Sequence, residues 1–467
     1  MGRKVGTILS IVTIFVEIFS ALFLTPLIIR SFGQAEYGVY TLVISLTSYL
    51  TLLDLGVGNS VVKFMSQYRV NNQHDEQKRF LGITTVYYAI IALIVIVFGA
   101  VVVAATPVFF SNGLSHSEIE LAQKLMWITC INIAVTLGTS GFFHTVIAFE
   151  NFYVSKGIMI IVTLIRIAVS IVALKSGLKS LGIVIINLMA TISIRFIIVA
   201  FVLFKIKIIP TLKKVNFNMV KGIVSYSAII LLQMLATQIN NMTGQIFIGS
   251  LAVASSGILA VYGVGSQISH YFQTFGSALN GVLMPGVVRL VETDGSVNAI
   301  QKEMTRIGRL NLAFVGFIWS VFFVFGKQFV VLWSGEVNLD AYYVALLLMF
   351  PMIFVLSQNI GSQVLWAMNK HKRQAILKFV IVILNVVLTI LLVKWNAIFG
   401  ATIGTFVSLM LGDVLVMQVV FKADIGLKLC QYYKGLFKGI IPALIVSIVI
   451  SSVFKLLELQ GWLGFII

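Results

Sequence analysis

The sequence predicts an all-α polytopic membrane protein with twelve to fourteen transmembrane helices. Three observations carry that expectation. Of the 467 residues, 59% are hydrophobic and only 10% charged, against about 25% charged in a soluble chain of ordinary composition. The apolar tracts run about 20 residues without strict alternation, which is the length of a spanning helix and not of a barrel strand. Short loops between the tracts alternate between many and few basic residues along the chain.

Thirteen apolar segments follow in order: 8–29, 37–62, 81–106, 124–148, 157–175, 182–204, 222–249, 255–284, 310–333, 341–366, 377–393, 400–421 and 439–457. A closing stub, "GWLGFII", is too short to span a bilayer at 1.5 Å per residue. The first segment starts with Arg3 and Lys4 like a signal peptide. It lacks a small-residue cleavage pattern and many spans follow, so it reads as the first transmembrane helix. Gly6 stands where a myristoylation signal needs Ser or Thr.

Orientation follows from lysine and arginine bias. With a cytoplasmic N-terminus, inside segments hold 24 of the 33 basic residues and outside loops hold seven. The remaining two, Arg166 and Arg195, lie within apolar tracts. The net charge of +17 therefore sits at membrane surfaces in loops too small to fold as a nucleic-acid module. Cys130 and Cys430 make no disulfide framework and no metal spacing. No Walker A motif, metal-spaced histidines or nucleophile elbow appears, so no enzyme activity and no cofactor are expected.

The chain also repeats itself. A shift of 219 lays Gly38 on Gly257, Ala148 on Ala367, Arg166 on Asn385 and Lys175 on Lys394. A shift of 218 pairs Gly182 with Gly400 and Arg195 with Asp413. Six helices per copy give a parallel repeat, as in transporters with a site between their halves. The expected organisation is an N-lobe over 1–204, a cytoplasmic basic linker over 205–221, a C-lobe over 222–421 and an extra C-terminal region over 422–467.

Glu17 lies mid-span with Thr13 and Ser20 on its helical face. An acid at the bilayer centre costs about 2.5–3.5 kcal/mol, so it needs a cavity, a partner or water. It is a candidate for the substrate cavity and for coupling-ion binding, against a protonated acid bonded inside the bundle. Arg166 and Arg195 are too deep to snorkel. Each is either a forked contact for a phosphate-bearing headgroup or a structural lock onto Glu17 or a carbonyl. Asp413 is a second coupling-ion candidate, or a structural acid. Polar stripes add Gln233, Thr237, Asn240 and Asn241 on the seventh span. The eighth carries Tyr262, Ser266, Gln267, His270, Gln273, Ser277 and Asn280. Of these, Gln233, Asn240, Asn241, Gln267, His270 and Gln273 are cavity candidates, although amides also tie helices together at about 0.6 kcal/mol per contact. His144 and His371 read as solvated interfacial residues.

In "YLTLLDLGVGNSVVKFMSQY" an acid, Asp54, ends a long apolar tract. Gly56 and Gly58 permit close helix approach or a local break, and Lys63 is near enough to hold the acid. Asp54 and Lys63 are the expected gate or structural pair. The stretch "TPLIIRSFGQAEYGVYTLVISLTSYLTLLDLGVGNSVVKFMSQY" resembles the polysaccharide flippase family of the multidrug/oligosaccharidyl-lipid/polysaccharide exporter superfamily. Its first helix ends in R-x-FG-x-x-x-YG-x-Y and its second in D-L-G-x-G. "AFENFYVSKGIMI", "MPGVVRL" and "GKQFVVLWSGE" extend the likeness over essentially the whole chain.

That resemblance implies a MATE-like fold: two pseudo-symmetric six-helix lobes around a central cavity. It implies translocation of undecaprenyl-pyrophosphate-linked oligosaccharides across the bacterial plasma membrane, with polysaccharide polymerase and glycosyltransferases as partners. A lipid II flippase and a cation-coupled multidrug exporter are alternatives within the superfamily, and a non-transporting membrane scaffold is an alternative of a different functional class. Two departures stand out. The seventh span reads "NNMTGQIFIG" where relatives often place a charge, and the fourteenth helix is missing or truncated.

Cysteine labelling with an impermeant reagent tests the orientation. A Leu178→Cys variant is expected to label in intact cells and Lys213→Cys only after lysis; the reverse pattern overturns it.

Overall fold

Hydrocarbon offers the backbone no hydrogen-bond partner, so a spanning segment bonds to itself. Every regular element of the described chain is helical. The computed structural model describes residues 2–111, 113–151, 153–212, 235, 237–252, 255–293, 295–368 and 370–455. The chain divides into two compact units, Met1–Gln238 and Ile239–Ile467.

The first unit contains α1 (Gly2–Phe32), α2 (Gln34–Ser48), α3 (Val57–Val70) and α4 (His74–Phe110). It continues with α5 (His116–Gly138), α6 (Ser140–Ala148), α7 (Ile158–Lys175) and α8 (Ser180–Ala200). Helix α9, residues 237–251, begins at its boundary. The second unit adds α10 (Ser255–Thr293), α11 (Val297–Ser334), α12 (Ala341–Ala367) and α13 (His371–Val393). It ends with α14 (Ala397–Ser408), α15 (Met417–Val420), α16 (Leu429–Phe437) and α17 (Ile440–Lys455). In the first unit α4 packs along α5, α5 along α8, and α7 against both α1 and α8. In the second, α12 packs against α10 and α11, α13 against α14, and α17 against α11.

Among the described residues ten helices are long and apolar enough to cross a membrane, and they match ten of the thirteen segments read from the sequence. Each of the other three has its reason. Half of the seventh segment, 222–234 and 236, lies outside the described residues. Helix α10 is 39 residues long, and the side chains of 278–289 lie outside the described residues. The second, read as one span over 37–62, is divided into two helices. Several helices also outrun their apolar cores. At 37 residues α4 is about 55 Å long, against roughly 30 Å of hydrocarbon. Its first turns, "HDEQKR", lie beyond the apolar tract.

Local chemistry sets the helix ends. Ser115 and Glu118 form a reciprocal capping box on α5, and Asn396 Oδ1 accepts from the Phe399 amide at 2.9 Å to start α14. The N-terminus of α8 is capped from another element. Glu36 at the start of α2 accepts from the Ser180 amide at 3.0 Å and from its hydroxyl at 2.5 Å. A carboxylate at a helix N-terminus satisfies orphan amides and the positive end of the dipole together.

The division of the second segment is the sharpest local event. After α2 a 3₁₀ stretch, Tyr49–Asp54, leads to Leu55 (φ 53°) and Gly56 (φ 73°). Two left-handed residues end the helix, and the Tyr87 hydroxyl donates to the freed carbonyls of Leu53 and Asp54 at 3.5 and 3.4 Å. Helix α3 then restarts against α6. Gly58 lies so near His144 that an added Cβ would fall 2.4 Å from its ring.

Where α3, α4, α6 and the end of α8 converge, Val61, Met65, Leu81 and Val146 are fully buried. Ile208 joins this cluster from beyond α8, and the Thr211 amide donates to the Lys78 carbonyl at 3.1 Å. The expected 205–221 linker thus begins docked on α4; residues 213–221 lie outside the described residues. In the C-terminal region the Ser447 and Ser320 hydroxyls meet at 2.9 Å, tying α17 to α11.

A Gly58→Ala variant is expected to lower stability by about 1–3 kcal/mol through overpacking, read as a drop in thermal midpoint in detergent. In a His144→Ala background the added methyl has room, so the loss should largely vanish. An equal loss in both backgrounds refutes the contact.

Candidate functional site

The break after α2 presents Asp54 to the interior of the first unit. Its carboxylate accepts a hydrogen bond from the Tyr88 hydroxyl of α4 at 2.8 Å. Ser140, at the start of α6, contacts that same hydroxyl. One turn on, His144 Nδ1 lies 3.2 Å from the Ser140 hydroxyl and 2.9 Å from its carbonyl. A chain of polar groups thus runs from Asp54 through Tyr88 and Ser140 to His144, joining three elements. His144, read from the sequence as solvated, is instead packed against α3 and wedged edge-on to Phe143. Lys63 stands exposed on α3 with its ammonium over the Phe64 ring.

Arg195 of α8 closes the cluster. Its guanidinium lies over the Phe143 ring, 4.8 Å from the centroid, and His144 feels the charges of both Asp54 and Arg195. Nη1 of Arg195 is buried without a hydrogen-bond partner. Arg166 of α7 donates through Nη1 to Asn187 Oδ1 of α8 at 3.3 Å, and its Nε is buried and unpartnered. Asn187 and Arg195 are eight residues apart, about 12 Å along the helix axis. The structure therefore does not merge the two arginines into one grip. Neither makes an ion pair with Glu17 among the described residues. Glu17 is exposed on α1, between buried Thr13 and Ser20.

In the second unit several buried polar groups are tied to one another. Asn385, paired with Arg166 by the repeat, donates to Asn240 Oδ1 at 2.5 Å, and Ser408 donates to the same oxygen at 3.1 Å. Thr389 donates to Asn385 Oδ1 at 3.0 Å. Asn240 is therefore an internal tie, while Asn241 is exposed and Gln233 lies outside the described residues. Asp413 sits in a π-helical stretch, Leu409–Val416, a distortion frequent at functional positions. Its carboxylate is 2.5 Å from the Lys378 ammonium, and its carbonyl accepts from Gln358. Gln418 in turn donates to Gln358 Oε1 at 2.5 Å. On α10, His270 and Ser277 are exposed and Gln267 and Gln273 half-buried, while Tyr262, Ile268 and Phe272 turn inward. The side chains of Asn280 and His371 lie outside the described residues.

Sequence reasoning missed Tyr88, Asn187, Gln358 and Lys378. Each is a partner supplied by a different helix, and no spacing marks such a residue. Ser140 and His144 did carry a signal, their i, i+4 spacing on one helical face.

This architecture is that of a multi-pass helical membrane protein. The chain is similar in structure to "Lipid II flippase MurJ, inward closed conformation", with a TM-score of 0.69, 15% identity, and 99% of this chain and 95% of that one covered. It is also similar to an inward-facing multidrug resistance MATE family transporter of the MOP superfamily, with a TM-score of 0.68, 12% identity, and 87% and 96% covered. At these identities the likeness establishes the MATE-like fold alone. Residues 3–291 match the polysaccharide biosynthesis protein family, and the chain belongs to that family. A Shigella flexneri protein named "Putative O-antigen transporter" is 29% identical over 110 residues. That match spans 23% of this chain and only 25% of the relative's own length.

A double-mutant cycle tests the Asp54–Tyr88 link. Asp54→Asn and Tyr88→Phe are expected to couple by about 1.5–3 kcal/mol in unfolding, the range for a hydrogen bond to a charged group. Strict additivity would show that the bond does not contribute.

Proposed function

We propose that this protein is a flippase that moves undecaprenyl-pyrophosphate-linked oligosaccharide repeat units across the bacterial plasma membrane, for polysaccharide biosynthesis. The observation that carries the reading is the pair of membrane-embedded guanidiniums in the first unit with donors left open, Nε of Arg166 and Nη1 of Arg195. A buried charged donor without an acceptor is costly, and a pyrophosphate offers the forked oxygens that arginine matches. Membership of the polysaccharide biosynthesis protein family supports the same substrate class. In this reading residues 1–204 and 222–421 act as two lobes that rock by alternating access around a central cavity. The 205–221 linker spans them on the cytoplasmic side, where the N-terminus also lies. The polar face of α10 faces the substrate path, Glu17 remains the coupling-acid candidate, and a polymerase and glycosyltransferases are the partners.

A cation exporter fits these charges less well, because Asp413 is held by Lys378 and Asp54 accepts a hydrogen bond from Tyr88. A lipid II flippase is the second reading, favoured by the fold likeness and served by the same pyrophosphate chemistry. Deletion separates the two: general arrest of wall growth indicates lipid II, and loss of one polysaccharide indicates the oligosaccharide.

Arg195→Ala is expected to cut export about 10–100-fold, the equivalent of losing one charge-assisted bond, while Arg195→Lys keeps part of it. The readout is outer-leaflet exposure of the undecaprenyl-linked glycan in a deletion strain lacking related flippases. Wild-type exposure with the alanine variant at normal expression overturns the role of Arg195. Wild-type exposure in the deletion strain itself overturns the function.

A further inference from the structure

The second unit holds a cavity of about 430 Å³ that the substrate reading does not use. Lys370, Lys372, Arg373, Ile376, Leu377 and Asp424 line it. Three cations there face one carboxylate. Arg373 Nη1 sits 3.1 Å from Asp424 Oδ1, and Lys370 donates to the Asp424 carbonyl at 2.9 Å. Asp424 thus positions two of the cations without neutralising the set, and Lys372 has no ion-pair partner among the described residues. The same residues begin α13, which has no side-chain cap and no acid in its first turn. Cations clustered at the positive end of a helix dipole repel it unless an anion joins them.

The surface above the cavity indicates what that anion is attached to. Ile376 forms part of the wall and also begins an exposed apolar stripe. The stripe continues through Val380, Ile383, Val387 and Leu391, each about half exposed. Their spacing of three or four places them on one face of α13. The stripe runs about 22 Å at 1.5 Å per residue, the length of an extended acyl chain. A free phosphate would use the cations alone, whereas a phospholipid would meet both the cations and this lipid-facing stripe.

We propose that this cavity is a binding site for an anionic glycerophospholipid, with the phosphate among Lys370, Lys372 and Arg373 and the acyl chains along α13. In the orientation set by lysine and arginine bias, this end of α13 is cytoplasmic, so the lipid belongs to the inner leaflet. The site is independent of the exported substrate. Its occupancy steadies the helix whose Lys378 holds Asp413.

The test uses the full-length protein in detergent and measures lipid binding by native mass spectrometry together with thermal midpoint. The probes are phosphatidylglycerol, phosphatidylcholine of the same acyl chains, and inorganic phosphate. Phosphatidylglycerol is expected to bind at least about tenfold more tightly than phosphatidylcholine and to raise the midpoint. A Lys370→Gln/Lys372→Gln/Arg373→Gln variant should lose about tenfold or more of that affinity, since each basic residue near an anionic surface contributes measurably. Should the triple variant fail to fold, Lys372→Glu removes no observed contact and is expected to weaken phosphatidylglycerol selectively. Equal binding of both lipids, or unchanged phosphatidylglycerol affinity in Lys372→Glu, overturns the site. Stabilisation by inorganic phosphate equal to that by phosphatidylglycerol also overturns it, in favour of a soluble anion.

Discussion

A backbone amide or carbonyl released inside a membrane has no water to turn to, and each break in a spanning helix must find its partner in the protein. Much of the first unit's organisation follows from one such break. Leu55 and Gly56 turn left-handed, α2 stops, and two carbonyls are exposed. Tyr87 reaches those carbonyls, while its neighbour Tyr88 takes the Asp54 side chain. Adjacent residues on α4 thereby hold both the backbone and the charge of the break. The restart at Gly58 then brings α3 close enough to α6 to lock His144. Apolar packing alone would not specify this register, because in lipid it yields dispersion without a hydrophobic driving force between helices.

The two units treat buried polarity differently. In the second, amides and hydroxyls answer one another: Asn240 with Asn385 and Ser408, Gln358 with Gln418, and Asp413 with Lys378. Such networks fix helix positions within the bundle. In the first, Arg166 and Arg195 each keep an open donor. Among the described residues the open buried atoms of the second unit are hydroxyl, amide and carboxylate oxygens, whereas the open guanidinium donors lie in the first, and that is the ground for proposing the anionic headgroup there.

Motion and function meet at the same features. The extension beyond α8 is fastened to the first unit by Ile208 and Thr211 before the chain continues. This fastening holds the chain to α4 as far as Thr211. The π-helical stretch at Asp413 is a second local irregularity, held from outside by Gln358 and Lys378.

The sequence alone determined the helical membrane class and the positions of ten spanning helices, because hydropathy reports directly on what a segment can leave in lipid. It also located Asp54 beside a break-prone glycine pair, and the two deep arginines, since charge in an apolar tract is visible without a fold. Hydropathy marks the part of a helix that is in hydrocarbon and says nothing of where its hydrogen bonds end, so α4 and α11 extend past their tracts. Tertiary structure decided the partners. Tyr88 for Asp54, Asn187 for Arg166, Lys378 for Asp413 and Asn385 for Asn240 all come from other helices, at separations no periodicity encodes. His144 shows the limit most clearly: its place near a helix end suggested solvent, but a glycine on α3 lets that helix close over it.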